Sequence, residues 1–128
     1  MEPVLTTDKK YLSIRDELLR LEGLLHQPGE GSTRKDLEAM TDDLFWEVGA
    51  SGNCYSRDFV MDVLEKRAKN PNPEDKWQTS DDWCNEISEN NYLLTYTLVQ
   101  GERITRRSSI WRRYGNFWKI VYHQGTIV

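Results

Sequence analysis

A chain of 128 residues has the commonest size of a single domain and can bury one hydrophobic core but not two. Charged residues make up 30% of the sequence, and five Trp and six Tyr supply large rings for a compact core, which argues against disorder. The formal net charge of −4 argues against a general affinity for nucleic acid or anionic membranes, because binding to phosphates depends on an excess of Lys and Arg.

The first half of the chain has the apolar spacing of helices. Apolar residues at steps of four, three and four form one stripe over residues 11–25, and this helix must end before Pro28. A shorter helix is predicted to open after residues 32–33. A third helix, at about residues 57–68, is predicted to follow Ser56, whose hydroxyl can cap its free N–H groups.

The second half of the chain has the alternation of an antiparallel sheet. Beyond Trp77 the period changes from near 3.6 to 2, and Gly115-Asn116 is a two-residue hairpin signal. Strands are predicted at about residues 79–88, 92–99, 103–114 and 117–124, with a short extra strand at residues 42–48. The chain is therefore predicted to be an α+β domain in which helices cover an antiparallel meander.

Two of the predicted strands are apolar on both faces. In the last strand, simple alternation places Trp118, Ile120 and Tyr122 on one face and Phe117 and Val121 on the other. Three short helices can cover only one face of such a sheet. The other face is therefore expected to be covered by a second copy of the chain, which predicts a homodimer through the sheet.

The remaining general features predict a cytoplasmic protein that binds no membrane. No apolar run approaches the roughly 20 residues that span a bilayer, and the first residues lack the charged and apolar regions of a secretory signal. Cys54 and Cys84 do not form a C-x-x-C pair, and neither has a local His or basic cluster. Both thiols are expected to be reduced and structural.

Three segments resemble one family. Residues 42–52 (DDLFWEVGASG), followed by residues 55–57 (YSR), resemble the "DDF.E.G.SG..Y.R" segment of the DUF4440, SnoaL-like branch of the NTF2-like superfamily. Residues 107–112 (RSSIWR) and 123–126 (HQGT) resemble late-strand motifs of the same branch. The similarity covers about residues 10–126.

The resemblance implies the cystatin-like fold, an α+β cone in which about three N-terminal helices pack on a curved antiparallel sheet around a pocket. Residues 1–128 would then form a single NTF2-like domain, with residues 1–9 as a loosely ordered N-terminal segment. The superfamily includes ketosteroid isomerase-like and dehydratase-like enzymes, polyketide cyclases, protein-binding domains and oligomerisation modules. The fold alone therefore does not select an activity.

If the cone has an open mouth, its lining should come from the inner strand faces and from the helix after Gly52. The residues assigned to this pocket are Trp46, Tyr55, Phe59, Trp77, Tyr96, Trp111 and His123. An aromatic cavity with a few polar groups suits a small apolar or ring-containing ligand. The alternative is that these rings simply fill the core.

His123 is the candidate general base. A neutral imidazole close to Asp42, Asp43 or Glu47 could transfer protons in an isomerase or dehydratase, although a histidine bonded within the sheet is the alternative. Glu47 lies within an apolar strand and needs a partner, for which Arg112 is the candidate. The catalytic residues otherwise stay unknown at this point.

No metal or cofactor is predicted. The two His and two Cys are not at ligand spacing, and Gly49 to Gly52 lacks the Lys of a phosphate-binding loop. Five arginines lie within residues 103–113, but alternation divides them between two faces, so no nucleic-acid surface is expected. Three hypotheses stay open: a dimeric small-ligand binder, a cofactor-free isomerase or dehydratase, and a structural dimerisation module.

Overall fold

The helices lie where the sequence predicts them. In the computed structural model, which describes all 128 residues, they are a 3₁₀ turn (Lys9–Tyr11), α1 (Leu12–His26), α2 (Arg34–Ala39) and α3 (Arg57–Lys69). Thr33 and Asp36 form a capping box at the start of α2, and the Ser56 hydroxyl accepts the N–H of Phe59 at the start of α3. None of the helices combines the length and apolarity that a membrane crossing requires.

Six strands form one curved, mixed sheet. They are β1 (Thr41–Val48), β2 (Cys54–Ser56), β3 (Gln78–Ser88), β4 (Asn91–Gln100), β5 (Arg103–Tyr114) and β6 (Phe117–Ile127), and their order across the sheet is β2-β1-β6-β5-β4-β3. β3 to β6 form the predicted antiparallel meander. The prediction of a wholly antiparallel sheet is wrong, because β1 pairs in parallel with β6, the open edge of that meander.

A β-bulge at Val121 changes which side chains of β6 face the helices. Ile120 and Tyr122 pair with adjacent residues of β5, so Val121 has no residue opposite it. Ile120 faces the helices before the bulge and His123 faces them after it, whereas Tyr122 faces away. The prediction that Trp118, Ile120 and Tyr122 share one face is therefore wrong for Tyr122.

The hydrophobic core lies between the helices and the inner face of the sheet. Leu18 of α1 and Met61 of α3 are fully buried in one cluster with Leu94 of β4 and Trp111 of β5. Burial of side chains of this size contributes about 1.5–3 kcal/mol each to folding. This cluster fixes the two longer helices on the sheet and leaves room for a cavity that lies beside the C-terminal end of α1 and along α3.

The N-terminal segment contacts β3. The indole Nε1 of Trp83 donates to the carbonyl oxygen of Thr6 at 3.3 Å, and the N–H of Cys84 donates to the Thr7 hydroxyl oxygen at 3.2 Å. Thr7 is buried. The segment expected to be loosely ordered is thus held to the sheet at two consecutive residues.

The outer face of the sheet has a row of apolar side chains that no helix covers. Trp46, Tyr122, Ile110 and Leu93 lie side by side across β1, β6, β5 and β4, and these four residues are called the outer row below. Trp46 is 46% exposed, and its ring centroid is 4.9 Å from that of Tyr122. A continuous row of apolar side chains that nothing in the chain covers is typical of a contact surface.

The two cysteines are expected to differ in reactivity. Cys84 is 1% exposed, and burial raises the pKa of its thiol to about 11, whereas Cys54 is exposed on β2. Because the thiolate is the reactive form, Ellman's reagent should titrate one thiol per folded chain and two in denaturant. Cys54→Ser should remove the fast reaction and Cys84→Ser should leave it; two fast thiols in the folded parent would contradict the prediction.

Candidate functional site

A cavity of about 390 Å³ opens between α1, α3 and the inner face of the sheet. Five rings line it, and they are called the aromatic wall below: Phe45, Tyr55, Phe59, Trp77 and Tyr96. The Tyr55 and Phe59 rings are stacked with centroids 4.9 Å apart, and the Trp77 ring meets the Tyr96 ring edge-on at 5.7 Å. The volume and the aromatic wall are those of a site for a small molecule.

The turn between β1 and β2 positions the Tyr55 ring. A Cβ at Gly49 would lie 2.8 Å from Cε2 of Tyr55, so the ring packs directly on the glycine backbone. No larger residue could occupy position 49 without moving the ring. The glycine-rich segment before β2 therefore shapes the cavity wall.

Glu22 lies buried at the inner end of the cavity. Its side chain is 4% exposed, and its two carboxylate oxygens accept one hydrogen bond each, from the Tyr96 hydroxyl at 2.8 Å and from the Trp111 indole N–H at 2.9 Å. These bonds compensate the cost of burying the carboxylate. Burial and the neighbouring Glu22 carboxylate raise the pKa of the Tyr96 hydroxyl well above its ordinary value.

His123 has both ring nitrogens engaged. Its Nε2 lies 3.3 Å from the terminal nitrogen Nη1 of Arg107, and its Nδ1 lies 2.6 Å from the Ser109 hydroxyl oxygen. Since a guanidinium can only donate, Nε2 accepts and Nδ1–H donates to Ser109. The Glu22 carboxylate is 3.7 Å from Nδ1, which is beyond hydrogen-bonding distance. The lone pair that a general base needs is therefore already occupied.

Arg107 is half-buried and lines the cavity together with His123. Its Nε donates to the Thr105 hydroxyl at 3.0 Å, and its guanidinium packs on Gly125, where a Cβ would lie 3.1 Å from Cζ. Burial, more than any neighbouring charge, lowers the pKa of this guanidinium from its ordinary value. No carboxylate oxygen lies within 4.0 Å of it.

A second polar group lies on another part of the cavity wall. His26, at the end of α1, has its Nε2 3.1 Å from a carboxylate oxygen of Asp75, and Gln100 donates to the other oxygen at 3.3 Å. The His26 ring packs against Trp77 with centroids 5.1 Å apart. Burial lowers the pKa of His26 and outweighs the opposite effect of Asp75.

The lowered pKa of His26 predicts that stability falls in mild acid. The folded chain binds this proton less readily than the unfolded chain does, so the stabilisation is present above the ordinary histidine pKa of about 6.5 and is lost as the pH falls through the folded value. Urea unfolding at pH 7.5 and pH 5 should show a larger decrease for the parent than for His26→Gln. Equal decreases would contradict the prediction.

Comparison with known proteins identifies the fold. No family model and no curated protein matches the sequence. The structure matches an NTF2-like protein of unknown function from Pseudomonas aeruginosa with TM-score 0.70 and 10% identity, over 91% of this chain and 98% of the other. The chain has the NTF2-like fold.

Two further solved structures share this fold. One is an uncharacterised protein with a cystatin-like fold from Caulobacter vibrioides, with TM-score 0.64 and 12% identity over 91% of this chain and 89% of the other. The other is a candidate ketosteroid isomerase from Parabacteroides distasonis, with TM-score 0.66 and 15% identity over 95% of this chain and 94% of the other. At these identities the likeness establishes the fold and no activity.

The NTF2-like cone brings together five of the seven residues that were assigned to the pocket. They are Tyr55, Phe59, Trp77, Tyr96 and His123. Trp46 is not at the cavity, because alternation along β1 turns Phe45 and Glu47 inward and Trp46 outward. Trp111 is fully buried and does not line the cavity; its indole instead donates to Glu22.

The candidate acids separate in the structure. Glu47 lines the cavity and is the register neighbour of His123, whereas the Asp43 side chain is 93% exposed and lies 4.0 Å from Arg57 on the surface. The expected pair of Glu47 with Arg112 is wrong, because Arg112 bonds to Asp42 at 3.2 Å and to Asn91. Asp43 is therefore not placed to act with His123.

Sequence reasoning missed the polar residues contributed by α1. Glu22 lies four residues after Leu18, within the apolar stripe of the helix. A charged residue at such a position must find buried partners, and this was the available signal. His26, one turn further along, faces the same cavity.

Proposed function

We propose that the protein binds a small apolar or ring-containing ligand in this cavity and does so as a homodimer. The observation that carries the proposal is the cavity of about 390 Å³, which is lined by a stacked pair of rings, an edge-on pair of rings and fixed polar groups, the last called the polar wall below. Rings provide a large apolar contact area, and a few polar groups fix the orientation of the ligand. A module with a purely structural role would need no such space.

The polar wall supports binding more than proton transfer. The Glu22 oxygens and both His123 nitrogens are engaged within the protein, so neither group presents a free base to a substrate. Polar groups that are already bonded within the protein are held rigidly and suit orientation of a ligand. The binder is therefore favoured over the isomerase or dehydratase.

One observation keeps proton transfer as a second candidate. Glu47 lines the cavity and has no hydrogen-bond partner, so it is the carboxylate that could remove a proton from a bound substrate. A panel of small cyclic ketones and 2-hydroxy acids, followed by NMR for exchange or isomerisation, would test it. Activity of the parent that is lost in Glu47→Gln would support catalysis. Inactivity of the parent on the whole panel would count against proton transfer and favour ligand binding without catalysis.

The assignment to the DUF4440, SnoaL-like branch is likewise proposed from its motifs. Gly49 supports the Tyr55 ring, and Arg57 donates to the Thr41 hydroxyl at 3.0 Å and to the carbonyl oxygen of Glu38 at 3.1 Å. These contacts connect the cavity wall to α2 and β1. The residues of the first motif therefore have a common structural purpose in this chain.

Native mass spectrometry with a cavity-filling variant tests the binder. The parent should retain a small molecule after purification, or bind one from a panel of ring compounds, and Val63→Phe should lose it because the larger side chain projects from α3 into the cavity. Leu24→Phe, on an exposed part of α1, is the matched control and should bind like the parent. Equal binding by both variants would contradict the proposed site.

A further inference from the structure

The arginines of this chain fall into two groups, those with a nearby carboxylate and those without one. Six of the ten have a carboxylate oxygen within 4.0 Å, and the four that do not are Arg67, Arg103, Arg107 and Arg113. Three of these four line the cavity, and Arg113 is the exception. Unpaired guanidinium groups are thus concentrated where a ligand would lie.

Arg107 is the member of this group that lies deepest. It is half-buried, whereas Arg67 and Arg103 are exposed. A guanidinium has five N–H donors, and the protein uses one on Thr105 and one on His123, so three have no partner in the chain. A half-buried cation with unused donors costs free energy unless an acceptor meets it.

The carboxylates of the cavity do not supply that acceptor. The two oxygens of Glu22 accept hydrogen bonds from Tyr96 and Trp111, and those of Asp75 contact His26 and Gln100. Glu47 favours the charged form of Arg107 across space without coming within 4.0 Å of it. The guanidinium of Arg107 therefore lines the cavity with three N–H donors that can bind an incoming anion.

We infer that the ligand is a ring-containing carboxylic acid whose carboxylate binds the Arg107 guanidinium while its ring lies against the aromatic wall. The inference rests on the proposed function and specifies its ligand class. Gly125 is part of this arrangement, because a side chain there would push the guanidinium off β6. Thr105 and His123 fix two donors, so the remaining ones are oriented before the ligand arrives.

Isothermal titration with a matched pair of probes tests the inference. 2-Naphthoate and 2-naphthamide have the same ring and nearly the same size, and only the first is charged at pH 7.5. The acid should bind the parent about 10- to 100-fold more tightly than the amide, as expected for a charge-assisted bond in a partly buried site. Equal affinities would overturn the carboxylate inference and leave the cavity binder standing, whereas no binding of either probe would count against both.

Single-arginine variants distinguish a direct bond from Arg107 to the carboxylate from a general attraction by the positive charges of the protein. Arg107→Gln should reduce the preference for the acid to less than about threefold, because binding of the acid weakens more than binding of the amide, and Arg107→Lys should restore part of the preference. Arg113→Gln is the matched control, since Arg113 also has no carboxylate partner but lies outside the cavity; it should keep the full preference. Glu47→Gln should bind the acid at least as tightly as the parent does. A preference that survives Arg107→Gln in a folded variant would overturn the inference.

Discussion

Replacement of Glu22 by Leu is expected to lower the free energy of unfolding by about 2–6 kcal/mol, since it leaves two buried donors without an acceptor at about 1–3 kcal/mol each. The donors are the Tyr96 hydroxyl and the Trp111 indole N–H, which now meet at the Glu22 carboxylate. Replacement by Gln should cost about half as much, because its oxygen can still accept from Trp111 and only the Tyr96 O–H loses its acceptor. Urea unfolding monitored by circular dichroism measures both values.

Two further variants show whether the loss comes from the orphaned donors. Glu17→Leu makes the same change on an exposed part of α1 and should alter stability by less than about 0.5 kcal/mol. Tyr96→Phe should destabilise the parent but stabilise Glu22→Leu, because it removes a hydroxyl that has lost its acceptor. A Glu22→Leu protein as stable as the parent would show that the carboxylate does not hold α1 to the sheet.

The local elements of the fold could be predicted because their signals are local. The stripe of α1 and the caps at Thr33 and Ser56 depend only on spacing within a few residues. β2 could not be predicted, since three residues show no period and the strand exists through its pairing with β1. The parallel pairing of β1 with β6 is likewise set by residues far apart in sequence.

The candidate site depended on one such non-local feature. The bulge at Val121 arises from the register of β6 on β5, and it shifts the alternation so that His123 faces the cavity. Without the bulge, Tyr122 would point inward and His123 outward. The aromatic wall could be predicted from residue types. Glu22, however, meets Tyr96 and Trp111 only when α1 packs on the sheet, and Arg107 meets His123 only through the pairing of β5 with β6.

The outer row explains why a second copy is the proposed occupant of the exposed sheet face. Its four side chains are uncharged and cross four neighbouring strands, which at about 4.8 Å each gives a band about 14 Å wide. A standard interface needs about 800 Å² per partner, close to a tenth of the 8083 Å² surface of this chain. The same band on a twin molecule would be self-complementary about a two-fold axis.

Ile110→Glu is expected to convert the proposed dimer into a monomer, with a rise of about 100-fold or more in the dissociation constant. Ile110 lies inside the outer row between Tyr122 and Leu93, so a carboxylate there would be buried without a partner in both copies. Light scattering after size exclusion should give twice the 15.1 kDa chain mass for the parent and the single mass for the variant. Leu24→Glu, on an exposed part of α1, should remain dimeric. Because the row lies on the face opposite the cavity, the Ile110→Glu monomer should still bind 2-naphthoate, whereas a parent of 15.1 kDa at micromolar concentration would exclude the dimer.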